Sequence, residues 1–278
     1  MERLSIRPAL HADDRWYPAS AANLRREVES YIDRSPKVAL PGEVVALIVP
    51  HAGYFFSGHV AGAGYRQVQA GDYDTVVLVG PDHTGAALGE LAVPDFDAWR
   101  TPLGEVIVDS DLVADLASKV PLRRVRRENE HSLEVQLPFL QVALSDFKLL
   151  PVMMGSQSAA TCRTLGDAIA EVVGQRKALL VASTDLCHFQ PDTATRRIDA
   201  HTVQFILDFD VPGLLEALRE GTAQACGGGP VAAVMIAASR LGADRAHQIK
   251  YATSADVWED RSRVVGYVAI VLTKPERA

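Results

Sequence analysis

Three apolar segments of this chain each run into a histidine. "VVALIVP" ends at His51, "TVVLVGPD" at His83, and "ALLVASTD" at Asp185, with His188 three residues later. The neutral imidazole nitrogen is the commonest protein ligand for Zn, Fe and Cu, so histidines delivered to the same relative place by separate segments point to metal coordination. A further donor is expected, and Cys226 in "AQACGGGPVAAVM" is the best candidate. Pro230 suits a first helical turn, and a thiol just ahead of a helix N-terminus has its thiolate favoured by the dipole. Gly227 and Gly228 let the backbone approach a bound group. The competing reading of Cys226 is a small buried thiol beside a turn.

A second cluster is "ENEHSLEVQLPFL", with Glu130, His131 and Glu134 at the start of a helical pattern. Carboxylates in a first helical turn stabilise the dipole, which accounts for them structurally. A histidine flanked by acids also serves to orient a substrate or a metal-bound imidazole. Cys162 falls in the first turn of an amphipathic helix and reads as packing; Cys187, beside His188, can point either way. His11, His59, His201 and His247 lack a strand-end setting and read as surface or packing histidines.

Elements of two kinds must hold these groups. Residues 43–49, 74–79, 147–154, 177–183 and 264–272 are rich in Val, Ile and Leu without alternation, the pattern of strands covered on both faces. Helical spacing follows Ser20, follows Gly58, spans 132–144 and 158–173, and resumes at "GLLEALRE" behind Pro212. Strands alternating with helices predict one α/β domain over 1–278, with a mainly parallel or mixed central sheet flanked by helices. Residues 86–108 read as short extra strands or a hairpin inserted before a helix near Ser110. In such a sheet ligands bind beyond the carboxyl ends of the strands, where the histidines fall.

Composition narrows the function classes. Of 278 residues 48% are hydrophobic, enough to fill a sizeable core. The net charge is −7 and the longest basic cluster, "RRVRR" at 123–127, is followed by "ENE", so a nucleic-acid groove is not expected and the run reads as a solvated loop. No window reaches the roughly 18 apolar residues of a membrane helix, and the N-terminus lacks the apolar stretch of a signal peptide. Three cysteines without a C-x-x-C pair fit a reducing compartment, so a cytoplasmic location is expected.

Taken in order, "VPHAGYFFSGHVAGAGY", "GPDHTG", "ENEHSLEVQLPFL", "STDLCHF" and "CGGGP" resemble the Memo family, the B component of the AmmeMemoRadiSam system, and with "HADDRWYPAS", "YATSAD" and "VVGYVAIVL" the resemblance covers almost the whole chain. That family is similar to the class III extradiol (LigB-type) dioxygenases, in which two histidines and a glutamate hold non-haem Fe(II) and another histidine is the acid/base. Carried onto this chain, the resemblance implies His51, His83 and Cys226 as ligands of one metal ion and His188 as the acid/base. Asp185 or Glu130 would orient His188 or His131. Trp16 would stand at the pocket mouth to stack on a planar ligand, with Tyr54, Gly227 and Gly228 as further contacts to the bound group.

Cysteine in place of the carboxylate widens the metals from Fe(II) to Cu and Zn and makes ring cleavage of catechols less certain to follow. Two functions are implied. One is a dioxygenase-like oxidoreductase acting on a small molecule; the other is a non-catalytic protein that keeps the cleft for metal or peptide. The family's association with AMMECR-type and radical SAM proteins implies a shared pathway.

Overall fold

Four apolar strands lie side by side at the centre of the structure, a computed structural model that describes residues 4–275. They are β2 (Glu43–Val49), β3 (Thr75–Pro81), β8 (Lys148–Met154) and β9 (Ala178–Ser183), parallel in the order β2-β9-β3-β8. Val49 is level with Ser183, and Pro81 with Met154, so the segments that follow these strands leave one edge of the sheet together. Their residues are almost all buried, as expected of strands covered on both faces.

Antiparallel strands extend the sheet on both sides. β12 (Val264–Lys274) pairs with β2 and also with β11 (Arg245–Thr253) and the short β10 (His188–Gln190). On the far side β4 (Leu91–Pro94) runs antiparallel to β8 and parallel to β7 (Arg123–Val125). The sheet is therefore mixed, within the expected α/β class. A separate three-stranded sheet joins β1 (Ile6–Arg7), β5 (Ala98–Thr101) and β6 (Gly104–Ile107), so the predicted hairpin in 86–108 exists and is tied to the N-terminal segment.

Helix α2 (Tyr54–Val68) packs on β2 and β12 and is backed by α1 (Ala21–Asp33) and α4 (Leu137–Ala143). Helix α8 (Gly228–Arg240) packs on β2, β3 and β9 and is backed by α5 (Ala159–Val173) and α7 (Val211–Glu220). The remaining helices are α3 (Ser110–Lys119), beside α5, and α6 (Asp192–Leu207), against β11 and β12. No helix among the described residues is long and apolar enough to cross a membrane.

Some expectations shift. The helix expected over 132–144 is a 3₁₀ turn at Glu134–Gln136 followed by α4, because Pro138 suits only a first turn and the residues before it are committed to side-chain bonds at the site. Helix α2 begins at Tyr54, four residues before Gly58. The basic run expected as a loop contributes the edge strand β7, with Arg123 and Arg124 outward and Val125 buried, the charged edge that discourages further pairing. Neither α6 nor β11 stands out as an apolar pattern. α6 buries Asp199, Thr195 and Thr202, and most of β11 is half-buried.

Candidate metal centre

His51 follows β2 by one proline and is 2% exposed. Its amide donates to Asp185 Oδ1 at 2.8 Å and its Nδ1 lies 3.0 Å from Ser183 Oγ at the end of β9. Ser183 gives its single hydroxyl proton to Ser132 O (2.7 Å) and accepts from Gln136 Nε2 (2.8 Å). The Nδ1 of His51 must therefore donate to Ser183, which leaves Nε2 with a free lone pair. That bare nitrogen is 3.1 Å from Cys226 Sγ. Burial, reinforced by the nearby His83, pushes His51 down to about 3, so the ring is neutral and able to coordinate.

His83 follows β3 and is the exposed member of the group. Glu130 grips it twice, taking the His83 amide at 2.5 Å and Nδ1 at 3.0 Å, and also accepts the Ser132 amide at 2.8 Å. Burial works to raise the Glu130 pKa, but the bonds from His83 and Ser132 and the neighbouring imidazoles outweigh it and hold the carboxylate anionic. His83 Nδ1 is thus the donor and Nε2 is free, the arrangement by which a carboxylate fixes the tautomer of a metal-binding histidine. Burial lowers and Glu130 raises the His83 pKa, and Glu130 prevails.

His131 stacks on His83 with ring centroids 4.7 Å apart and stands edge-on to His51 at 5.4 Å. Its Nδ1 is 3.4 Å from the same Glu130 oxygen, and burial, with His51 beside it, lowers its pKa. His51, His83 and His131 each offer a ring nitrogen, all within 4.8 Å of one another. The residues present fit a single metal ion: His51 and His83 have their tautomers fixed by Ser183 and Glu130, His131 stands beside them, and the Cys226 thiol lies against His51. Burial and the neighbouring Asp185 push that thiol up to about 12, against the thiolate expected from the helix dipole, so it would lose its proton only to a bound metal.

The N-terminal segment is bolted under this cluster. Glu134 accepts from the His11 amide (2.7 Å), His11 Nδ1 (3.0 Å), the Tyr17 hydroxyl (2.6 Å) and the Arg7 guanidinium. Arg7 also bonds Glu128 and Glu130 O, and lies 4.1 Å over the Trp99 ring. This network sets Trp16 against His131, centroids 4.1 Å apart, with the His11 ring edge-on to both. Trp16, expected at the pocket mouth for a planar ligand, packs instead against an imidazole of the cluster with the two rings tilted by 34°.

Asp185 and His188 come from the loop after β9. Asp185 is spent on the His51 amide, and the His188 ring is oriented through Nδ1 by Leu186 O at 2.8 Å, which leaves Nε2 unprotonated on the neutral ring. The loop is fastened from behind. Leu186 N donates to Gly266 O, Gly266 N to Cys187 O, and Cys187 N to Asp199 Oδ1, whose other oxygen accepts from Tyr251. Cys187 is buried with its thiol on Thr195, facing α6.

Cys226 is placed by its neighbours on both sides. Its amide donates to Asp185 O at 3.1 Å, while the Asp185 amide donates to its Sγ at 3.2 Å. Gln157 staples the glycine turn, giving Nε2 to Cys226 O (2.8 Å) and accepting Gly229 N (2.6 Å). The amides of Gly227 and Gly228 are taken by Thr184 Oγ1 and Ala225 O, so their contribution is close packing. A Cβ at Gly227 would stand 2.3 Å from Ser183 O. Gly227→Ala should therefore displace Cys226, cost about 1–3 kcal/mol of stability and weaken metal binding. Urea unfolding and metal titration check it, and wild-type values in both would contradict the packing argument. Tyr54 is 3% exposed, its hydroxyl on Val135 O at 2.6 Å, so it belongs to the wall behind the turn that carries His131.

Sequence reasoning left His11 outside the site and gave Glu134 only a capping role. Ser183 and Gln136, which decide the His51 tautomer, were not singled out. Their signal exists only in three dimensions, since Ser132, Gln136 and Ser183 are far apart along the chain from His51.

Comparison with known proteins gives the arrangement a lineage. A family model described as "Memo-like protein" matches residues 7–271. A MEMO1 family protein of Methanosarcina mazei is 37% identical over 261 residues, covering 92% of this chain and 96% of the relative. A MEMO1 family protein of Methanopyrus kandleri is 37% identical over 273 residues, 93% and 96% of the two chains. One from Archaeoglobus fulgidus is 39% identical over 259 residues, 92% and 95%. The match spans every strand end and turn that builds the histidine cluster, from the segment carrying Trp16 to the Cys226 turn, and the chain belongs to the Memo family.

Proposed function

We propose that the protein binds one metal ion through His51, His83 and Cys226, with His131 as a further donor, and uses it as a dioxygenase-like oxidoreductase on a small molecule. The observation that carries this reading is the convergence of three imidazole nitrogens within 4.8 Å, with a thiol 3.1 Å from the bare nitrogen of His51. Fe(II) is the leading metal; a thiolate donor also suits Cu and Zn. Held by these residues, the ion would supply Lewis acidity and, as Fe(II) or Cu, redox chemistry.

The chain's own residues supply the rest. Glu130 and Ser183 hold the ligand imidazoles in the coordinating tautomer. Asp185 and Gln157 hold the backbone on either side of the thiol. His188, oriented by a carbonyl and bare at Nε2, is placed to take a proton from a substrate hydroxyl, a task suited to imidazole near neutral pH.

Anaerobic calorimetric titration with Fe(II) or Zn(II) tests the binding step. One ion per chain is expected, with affinity falling on acidification because ligands must be deprotonated. His51→Ala, His83→Ala and Cys226→Ala should each weaken it by about tenfold or more. Full affinity in the Cys226 variant would remove the cysteine from the set and leave the three histidines.

A further inference from the structure

A cavity of about 900 Å³ lies where α5, α7 and α8 meet the loop after β9. Its wall includes His188 and Cys226, and Cys226 joins it to the histidine cluster through His51. A volume of this order accommodates a small organic molecule with most of its surface covered. Leu186, Leu215, Leu218 and Ile236 give the wall an apolar character. These side chains favour a hydrocarbon body over a sugar or a polyanion.

Charge at the rim is unequal. Arg219 is held by Glu216 and Glu220, and its charge is largely met. Arg163, on the first turns of α5, is exposed, lines the same cavity and makes no ion pair or side-chain hydrogen bond among the described residues. The amides of Ala159 and Ala160 precede it at the start of α5, whose first turn carries no acidic residue to offset the dipole. The α8 turn contributes no such donors, because the Gly227, Gly228 and Gly229 amides are all bonded within the protein. The one unmet cationic feature of the cavity therefore sits at the α5 side, and the proton-accepting imidazole at the other.

We propose that this cavity binds the organic substrate of the metal centre and takes a monocarboxylic acid with an apolar body, its carboxylate at Arg163 and its far end against His188. The assignment rests on the metal-centre reading for the word substrate; the binding site itself stands on the cavity and Arg163. A planar guanidinium suits a carboxylate because two parallel hydrogen bonds can form. The neutral amide of the same acid keeps the hydrocarbon contacts and loses the charge.

The test is calorimetry on the full, metal-free chain with two pairs of probes: octanoate against octanamide, and 3-phenylpropionate against its amide. The pairs separate an alkyl from an aryl body. In at least one pair the acid should bind about tenfold or more tightly than the amide, as expected of a hydrogen bond to a charged group. Arg163→Gln should abolish that preference and Arg219→Gln should keep it. Equal binding of acid and amide, acids that bind no tighter than about 1 mM, or a preference that survives Arg163→Gln would each overturn the site.

Orientation is read separately from Co(II)-loaded protein, by paramagnetic relaxation of the probe's protons. Protons remote from the carboxylate should relax fastest, and a reversed gradient would overturn the placement of the far end at His188. Because the calorimetry uses no metal, failure of the metal centre and failure of the carboxylate site give different results.

Discussion

His188→Ala should keep metal affinity at the wild-type level and lower turnover by about 10²- to 10⁴-fold, the range for loss of a general acid/base. The ring lines the cavity wall, is fixed by Leu186 O at 2.8 Å and has no place among the three clustered histidines. The assay is dioxygen uptake by the Fe(II)-loaded chain with catechols, aminophenols and the apolar acids above. Uptake whose rate is unchanged in the His188 variant would exclude the residue from proton transfer. Uptake that also survives His51→Ala would come from elsewhere.

Glu134→Ala should destabilise the fold by about 3 kcal/mol, the lower end of the usual cost of breaking a buried ion pair, because Arg7 keeps Glu128. Arg7 would lose one of its two carboxylates, and His11 and Tyr17 their acceptor, all of them within buried surroundings. The same carboxylate makes stability sensitive to acid. Burial would raise its pKa, but the bonds from His11, Arg7 and Tyr17 bring it from 4.5 down to about 2. A carboxylate held low in the fold contributes stability that is fully present above its unfolded value and lost as pH falls toward the folded one. Thermal unfolding followed between about pH 6 and pH 2 should show this loss in the wild type and a shallower dependence in Glu134→Gln. Parallel curves for the two proteins would mean that Glu134 carries no such linkage.

Much of the site was legible before the fold. Strand ends are visible in sequence because β2, β3 and β9 are apolar on both faces, so the point at which polar residues return is sharp. That placed His51, His83, Asp185 and His188 at one edge. The Cys226 turn was legible because a side chain at Gly227 has no room. What was not legible was partnership. Asp185 and His188 are neighbours in sequence, yet Asp185 serves the His51 amide and His188 is held by a backbone carbonyl. His131 looked like a helix-start residue, and only the turn that precedes the 3₁₀ segment Glu134–Gln136, closed by Val135 N on His131 O, carries it onto His83. His11 carried no local signal, since its partner Glu134 lies 123 residues away. α6 was hidden for a related reason: its buried face includes Asp199, satisfied by Tyr251 and the Cys187 amide, so the apolar period is interrupted.

The central claim is that His51, His83 and Cys226 share one metal ion, and Co(II) substitution followed by absorption spectroscopy tests it most directly. Titration should saturate at one Co(II) per chain and produce a thiolate-to-metal charge-transfer band in the near ultraviolet. That band should vanish in Cys226→Ser, and binding should weaken in His51→Ala and His83→Ala. A saturated wild-type protein without the band, or a spectrum unaltered by loss of Cys226 and His51, would contradict the assignment.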